Sequence, residues 1–100
     1  MAAFNVVRMK LKPGEEDAFV AFHRGRDISA FKGMKSFHLV KTGDGEFVVI
    51  GEWEDIDALI AARPQMIATL DGVRDKLEDL GGGLGLTDPR SGTAVVSLGV

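Results

Sequence analysis

Few side chains in this chain could do chemistry. It has two histidines, His23 and His38, one tryptophan, Trp53, and neither cysteine nor tyrosine. An imidazole titrates near neutral pH, so either histidine could act as a general base. His38 could instead make a hydrogen bond at an interface, and His23 could lie at the boundary of a core. The sequence alone leaves these alternatives open.

Two further residues could contribute to a binding site. Asn5 is in phase with Val7 and Met9 on a strand pattern, where it could orient a substrate carbonyl or satisfy backbone groups at the strand end. Trp53 ends a later apolar run and could line a pocket or simply fill the core, as large aromatic side chains commonly do. The residue types favour neither role.

Several common sites are excluded by spacing. The histidines do not have the HxxxH or HExxH spacing of a zinc site, and no cysteine offers a thiolate ligand. The glycine-rich segment 81–85 follows a predicted helix, whereas a phosphate-binding loop follows a strand and begins a helix. No serine lies in a GxSxG motif. We therefore expect no metal and no covalent nucleophile.

Composition limits the class of partner. The 100 residues predict one domain, residues 1–100, and the net charge of −3 gives no basic surface for nucleic acid or an anionic membrane. No apolar run is long enough to span a membrane, and the absence of cysteine suits a reducing compartment. We expect a cytoplasmic protein with no nucleic-acid or membrane partner.

The elements that would position these side chains follow from periodicity and turn residues. We predict strand one at Phe4–Leu11, a helix from about Pro13 to Arg26, strand two at Met34–Lys41, a hairpin turn at Gly43–Gly45 and strand three at Glu46–Trp53. A short helix capped by Asp55 follows, and then a longer helix at Pro64–Leu80 that restarts at its proline and is stopped by Gly81. The chain ends with a glycine-rich connector over residues 81–92 and a C-terminal strand over residues 93–100, whose β-prone part is Thr93–Leu98.

The third strand indicates how the sheet is covered. Phe47, Val49 and Trp53 alternate with Val48 and Ile50, so both faces of this strand are apolar. The order β-α-β-β-α-β is the ferredoxin-like α+β arrangement, an antiparallel sheet with helices on one face. The other face would stay open in a monomer, so we expect a homodimer in which two sheets cover each other.

The same segments carry a family resemblance. Lys12-Pro13-Gly14-Glu15-Glu16 after strand one, the run Phe47–Asp55 after the hairpin, and Ala58-Leu59-Ile60-Ala61-Ala62 resemble the antibiotic biosynthesis monooxygenase family over roughly residues 4–80. The resemblance implies a dimeric α/β barrel. It also implies one of several activities, since the family contains cofactor-free oxygenases of quinols and aromatic polyketides, haem-degrading enzymes and members with no known activity.

The resemblance assigns roles to single residues. Trp53 matches a family tryptophan that lines a pocket between sheet and helices. Haem-degrading members use a strand-one asparagine, whose position is Val7 here, and a histidine on the second helix, which Pro64–Leu80 does not contain. Haem ligation is therefore not available and no cofactor is expected. Mechanisms that need a tyrosine hydroxyl are not available either.

These inferences lead to two hypotheses. The first is a cofactor-independent monooxygenase acting on a small aromatic or quinol substrate, with His38 as the first choice of base and His23 as the second. Trp53 and Phe22 would then be pocket walls, and Asn5 a polar anchor. The second is a non-catalytic dimeric barrel that binds a small hydrophobic ligand or has a structural role.

Overall fold

The computed structural model describes residues 1–99. Its elements are β1 (Ala3–Leu11), α1 (Glu16–Arg24), β2 (Met34–Gly43), β3 (Glu46–Trp53), α2 (Ile56–Asp71), β4 (Leu77–Glu78) and β5 (Thr87–Thr93). Single 3-10 turns lie at Ile28–Ala30 and Arg74–Lys76.

The strands form one antiparallel sheet in the order β2-β3-β1, with β4 and β5 sharing the outer edge of β1. The segment β5 pairs with β1 from Ala3 to Met9, and β4 pairs with the last two residues of β1. This is the predicted ferredoxin-like α+β fold, in which β1 is central and every strand pair is antiparallel.

The hairpin turn and the start of the second helix lie where the sequence predicts them. Gly45 has a φ of 68°, the left-handed conformation that the short turn between β2 and β3 requires. Asp55 precedes α2, and its carboxylate accepts a hydrogen bond of 2.8 Å from the backbone N–H of Ala58. This bond satisfies a free donor of the first helical turn, so Asp55 is the N-cap.

The two faces of the sheet differ in burial. Phe47, Val49 and Trp53 point toward the helices and are buried, as alternation along β3 requires. On the opposite face Val6 is 37% exposed and Val40 is 39% exposed. The helices thus cover one face, and an apolar surface remains open on the other.

The helix-covered core consists of two clusters. One contains Phe31, Trp53 and Leu59 at the end of the sheet where Ala3 pairs with Trp53. The other contains Phe19 and Phe47 with their buried neighbours at the end where Met9 pairs with Phe47. The middle of the sheet lies between the two clusters.

The prediction for the second helix was wrong in its middle and at its end. Helix α2 runs continuously through Pro64 and ends at Asp71, so the proline does not restart a helix and Leu80 is not helical. Beyond Gly72 the chain turns, and Leu77 pairs with Leu11 of β1. Val73 and Leu77 keep helical spacing in sequence and are buried outside a helix, Leu77 on a strand paired with β1 and Val73 in the core cluster of Phe19 and Phe47.

The end of the chain also differs from the prediction. The last described strand is Thr87–Thr93, so all of it but Thr93 lies in the segment predicted as connector. After it, Ala94 donates a backbone hydrogen bond to Ala2, but the strand does not continue among the described residues. Val95 and Leu98 are each 87% exposed. Pairing with β1 therefore selects a segment of low β-propensity over a more β-prone one. Residue 100, the end of the predicted strand, lies outside the described residues.

Membrane insertion through a helix finds no support in residues 1–99. Neither α1 nor α2 combines the length and the apolar character that a membrane-spanning helix needs.

Candidate functional site

A cavity of about 300 Å³ lies between the sheet and the helices, at the gap between the two core clusters. Most of its lining is apolar, and its polar groups come from the sheet, from the end of α1 and from α2, as in small-molecule sites. It is lined by Asn5, Val7, Met9, His23, Arg26, Met34, Phe37, Val49, Arg63, Met66, Ile67, Thr69, Leu70, Val73, Thr87, Pro89 and Ser91.

The cavity follows from one row of residues across the sheet. Phe37, Gly51, Asn5 and Ser91 are paired in register across β2, β3, β1 and β5, so their side-chain positions share the helix-covered face. Gly51 has no side chain and Ser91 has a small one. This row cannot fill the space beneath α2, which leaves room for a ligand.

Asn5 is the polar residue at the floor of this cavity. It is 7% exposed, and its Oδ1 accepts a hydrogen bond of 2.7 Å from the indole Nε1 of Trp53, which is fully buried. Because an indole N–H can only donate, the bond fixes the orientation of the Asn5 amide. The Nδ2 donor of Asn5 is therefore the group left for a ligand.

Gly51 gives the Asn5–Trp53 pair the space it needs. A Cβ atom at position 51 would clash with Oδ1 of Asn5 and would lie 3.2 Å from Nε1 of Trp53. The φ of Gly51 is not positive, so glycine is required here for steric reasons and not for backbone conformation. The three residues act as one unit that orients a hydrogen-bond donor toward the cavity.

His23 lies on the last turn of α1 and enters the cavity wall from the helix side. Its imidazole stacks on Phe37 of β2, with ring centroids 5.5 Å apart, and meets the edge of Phe19 at 4.6 Å. Phe19 and His23 are one helical turn apart, so the amphipathic spacing that buries Phe19 also places the imidazole between the helix and the sheet.

Burial keeps His23 neutral, and its contact with Arg26 determines which ring nitrogen carries the proton. One guanidinium nitrogen, Nη1, lies 3.4 Å from Nδ1 of His23. A guanidinium only donates, so Nδ1 accepts and the neutral imidazole carries its proton on Nε2. Burial, together with the nearby Arg26 charge, lowers the pKa of His23 to about 4. Nε2 is buried without a hydrogen-bond partner among the described residues.

Arg26 itself is a cation in mostly apolar surroundings. Its guanidinium carbon lies 4.5 Å from the centroid of the Phe37 ring and 5.3 Å from that of Phe31. Burial lowers the pKa of Arg26, although a guanidinium stays protonated at any physiological pH. The aromatic faces hold the charge in place but do not neutralise it.

The predicted site residues separate into two groups. Asn5 and His23 line the cavity, and Trp53 supports it from behind through the bond to Asn5. Phe22 lies behind His23, packed against Gly72 and with its ring 5.3 Å from the imidazole, so it is not among the lining residues.

His38 faces away from the cavity. It pairs with Ile50, and Ile50 pairs with Val6, which places all three on the open face of the sheet. The site that the structure brings together therefore contains one of the two histidines. His38 is left in the position for an interface contact, the alternative that its strand pattern allowed.

Sequence reasoning missed the two arginines of the cavity. Arg26 could have been found, because it follows His23 by three residues at the predicted end of the first helix. Arg63 could not, since it is an exposed residue on α2 without a distinguishing pattern. Within residues 1–99, no cluster of three or more potential ligands could hold a metal ion.

The sequence also matches a known family. The model of the antibiotic biosynthesis monooxygenase family matches residues 3–64, which include Asn5, His23 and Trp53. The chain belongs to this family. The match covers β1 to the first half of α2 and leaves the C-terminal third to the fold comparison. No curated protein sequence matches the chain.

Solved structures of similar fold include proteins with and without a known activity. NE2512 from Nitrosomonas europaea, of unknown function, is 20% identical over 96% of this chain and 91% of its own, with a TM-score of 0.76. Rv0793 from Mycobacterium tuberculosis is 17% identical over 99% and 100%, with a TM-score of 0.75. SnoaB from Streptomyces nogalater, a cofactor-independent oxygenase, is 20% identical over 97% and 96%, with a TM-score of 0.67. These identities show a shared fold alone.

Proposed function

We propose that this protein is a cofactor-independent oxygenase of a small hydroxylated aromatic compound or quinol, bound in the cavity under α2. The observation that carries the proposal is an apolar cavity with one oriented donor, Nδ2 of Asn5, facing the space where a ring would lie. Membership of the family and the similarity of fold to a cofactor-independent oxygenase support it.

Binding would use the apolar lining for the ring and Asn5 for its oxygen. Met66, Leu70 and Val7 offer apolar contacts to an aromatic ring, and Nδ2 of Asn5 donates to the hydroxyl or carbonyl oxygen. A cavity of about 300 Å³ lies at the small end of the range for ligand pockets, so the substrate has a few fused rings at most.

Ionisation of the substrate is the step that the charges of the site favour. The Arg26 cation lies in a partly desolvated wall, where its field lowers the pKa of a bound phenol or enol. His23 takes the place of His38 as the base, because it lines the cavity with a neutral imidazole; its pKa of about 4 makes it a weak base until the substrate anion pairs with the nearby Arg26 charge. Its Nδ1 is freed for the proton when Arg26 moves from the imidazole to a negatively charged group of the substrate.

Oxygenation then needs only the substrate anion and dioxygen. The carbanion form transfers one electron to dioxygen, the resulting radical and superoxide combine into a C–O bond, and the peroxide takes up the proton. Cleavage of the O–O bond and loss of the ring hydrogen release water and leave a quinone carbonyl. One oxygen atom enters the product, the other becomes water, and the four electrons come from the substrate. Desolvation and orientation are the contributions of the protein.

We also propose that the working form is a cytoplasmic homodimer. The open face of the sheet carries Val6, Val40 and the half-buried Ile50, an apolar surface that a second copy of the same face would cover. His38 lies on that surface, where pairing would bury it. The lack of cysteine suits the reducing cytoplasm.

The proposal is tested by oxygen uptake. Chelator-treated protein is mixed with naphthol or naphthohydroquinone in an oxygen electrode, with heat-denatured protein as the control for spontaneous oxidation. We expect uptake that saturates with substrate, persists in chelator and falls at least 10-fold in Asn5→Leu, as expected for loss of an oriented donor to a developing oxyanion. Saturable binding of these compounds without oxygen uptake would support the non-catalytic alternative.

A further inference from the structure

Two cations of the cavity have no anionic partner among residues 1–99. Arg26 and Arg63 both line it, and none of the ion pairs formed within residues 1–99 includes either of them. No aspartate or glutamate is among the lining residues. The charge of this site is therefore positive, although the whole chain carries a net charge of −3.

An unpaired, half-buried guanidinium is costly to keep. Arg26 loses hydration to Phe31 and Phe37, and its single side-chain hydrogen bond, to neutral His23, leaves most of its donors free. Burying a charge without a counter-charge is unfavourable, and the cost is offset when an anion binds. A planar guanidinium also fits a carboxylate through two parallel hydrogen bonds.

Arg63 extends the same positive charge to the mouth of the cavity. It lies on α2 and is exposed to solvent, yet it contributes to the lining. A flexible cation at an entrance attracts anions and can close over them after binding. Arg26 follows the C-terminal end of α1 and Arg63 lies on α2, so one carboxylate bound by both would join the end of α1 to α2.

From these observations we infer that the ligand is an aromatic acid: a small hydroxylated ring system whose carboxylate accepts hydrogen bonds from Arg26 and Arg63. The ring occupies the apolar part of the cavity, and the hydroxyl oxygen faces Asn5. The inference rests on the proposed function for the claim that this acid is oxidised, but the preference for an anion stands on the arginines alone.

Calorimetry with two matched probes tests the preference. Naphthoate and naphthamide have nearly the same shape and differ in charge. The ratio of their dissociation constants therefore measures the contribution of the carboxylate charge to binding. We expect naphthoate to bind roughly 10- to 100-fold more tightly, the range for hydrogen bonds to charged groups. Added salt weakens the binding of naphthoate and leaves that of naphthamide unchanged.

Variants assign the preference to the two arginines. Arg63→Gln removes an exposed charge and keeps the fold, and Arg26→Gln removes the half-buried one; each is expected to reduce the advantage of naphthoate about 10-fold. Arg74→Gln is the matched control, because Arg74 pairs with Asp71 outside the cavity. It changes the net charge equally and is expected to leave both affinities as they are.

The outcomes separate this inference from the proposed function. Equal affinity for the two probes, no binding of either, or an advantage of naphthoate that survives both arginine variants would overturn the inference. An arginine-dependent advantage without oxygen uptake from any hydroxynaphthoate or naphthol would support it and would refute the oxygenase proposal. Oxygen uptake from neutral naphthol together with equal affinity for the two probes would support the oxygenase proposal and refute the preference for an anion.

Discussion

Replacing Gly51 by alanine tests the arrangement at the floor of the cavity. The added Cβ atom would overlap Oδ1 of Asn5 and press on Nε1 of Trp53, which already lies 3.2 Å from the Cβ position. The Asn5 amide therefore has to rotate away, and its hydrogen bond with the indole is lost. The substitution changes one methyl group and no charge.

The expected cost follows from the burial of the two partners. Trp53 is 0% exposed and Asn5 is 7% exposed, so water cannot replace the lost bond. Leaving a buried donor unsatisfied costs about 1–3 kcal/mol. For a domain of this size, roughly 2 kcal/mol lowers the melting temperature by about 8–16 °C. The Nδ2 donor also loses its orientation, so we expect ligand binding to weaken as well.

Thermal unfolding followed by circular dichroism measures the stability, and Trp53 fluorescence reports the indole environment without interference because it is the only tryptophan. Gly92→Ala is the matched control. Gly92 lies on β5 of the same sheet, has no atom within 4 Å of its Cβ position and has no positive φ, so alanine is tolerated there. We expect its effect on the free energy of unfolding to stay within about 0.5 kcal/mol.

A double-mutant cycle decides whether the clash with Asn5 is the cause. In the Asn5→Ala background the overlapping atoms are absent, so Gly51→Ala should cost little beyond the cost of Asn5→Ala itself. Fully additive costs, or a Gly51→Ala protein as stable as Gly92→Ala with unchanged Trp53 fluorescence, would refute the reasoning.

Three further predictions follow. The pKa of His23 is about 4 in the folded protein against 6.5 in the unfolded chain, so the unfolded state binds more protons between these pH values. The free energy of unfolding, measured with urea, should therefore fall as the pH drops through this window. It should fall less in His23→Phe. Val40→Glu on the open sheet face should give monomers in analytical ultracentrifugation, whereas Ile60→Glu, the same change at a somewhat more exposed position on α2, should leave a dimer. Monomeric wild-type protein would contradict the homodimer. His38→Ala should keep the affinity for naphthol that Asn5→Leu loses, and a loss in both would contradict the location of the site.

Much of the sheet could be predicted because its signals are local. Alternation along β1 and β3, the Asp44-Gly45 turn and the Asp55 cap depend on residues close in sequence, and each lies where expected. The end of α2 and the position of β5 depend on pairing with β1, a long-range contact. Propensity favoured Thr93–Leu98 as the strand, but the chain pairs Thr87–Thr93.

The same difference between local and long-range signals explains which parts of the site could be predicted. Asn5 could be placed on a strand face, and a pocket between sheet and helices followed from the family resemblance. The preference for His38 over His23 as the base had no support from the sheet, because β3 is apolar on both faces and the sequence does not say which one the helices cover. The bond between Asn5 and Trp53 depends on strand register, which places them on neighbouring rows of one face.

The most direct test of cofactor-independent oxygenation is the fate of isotopically labelled dioxygen. Metal-free protein is incubated with naphthol and with hydroxynaphthoate under labelled dioxygen, and the quinone is analysed by mass spectrometry. We predict one labelled oxygen atom in the product, formed faster than in heat-denatured protein and lost in Asn5→Leu. Product that carries only oxygen from water, or no product above the denatured control, would contradict it.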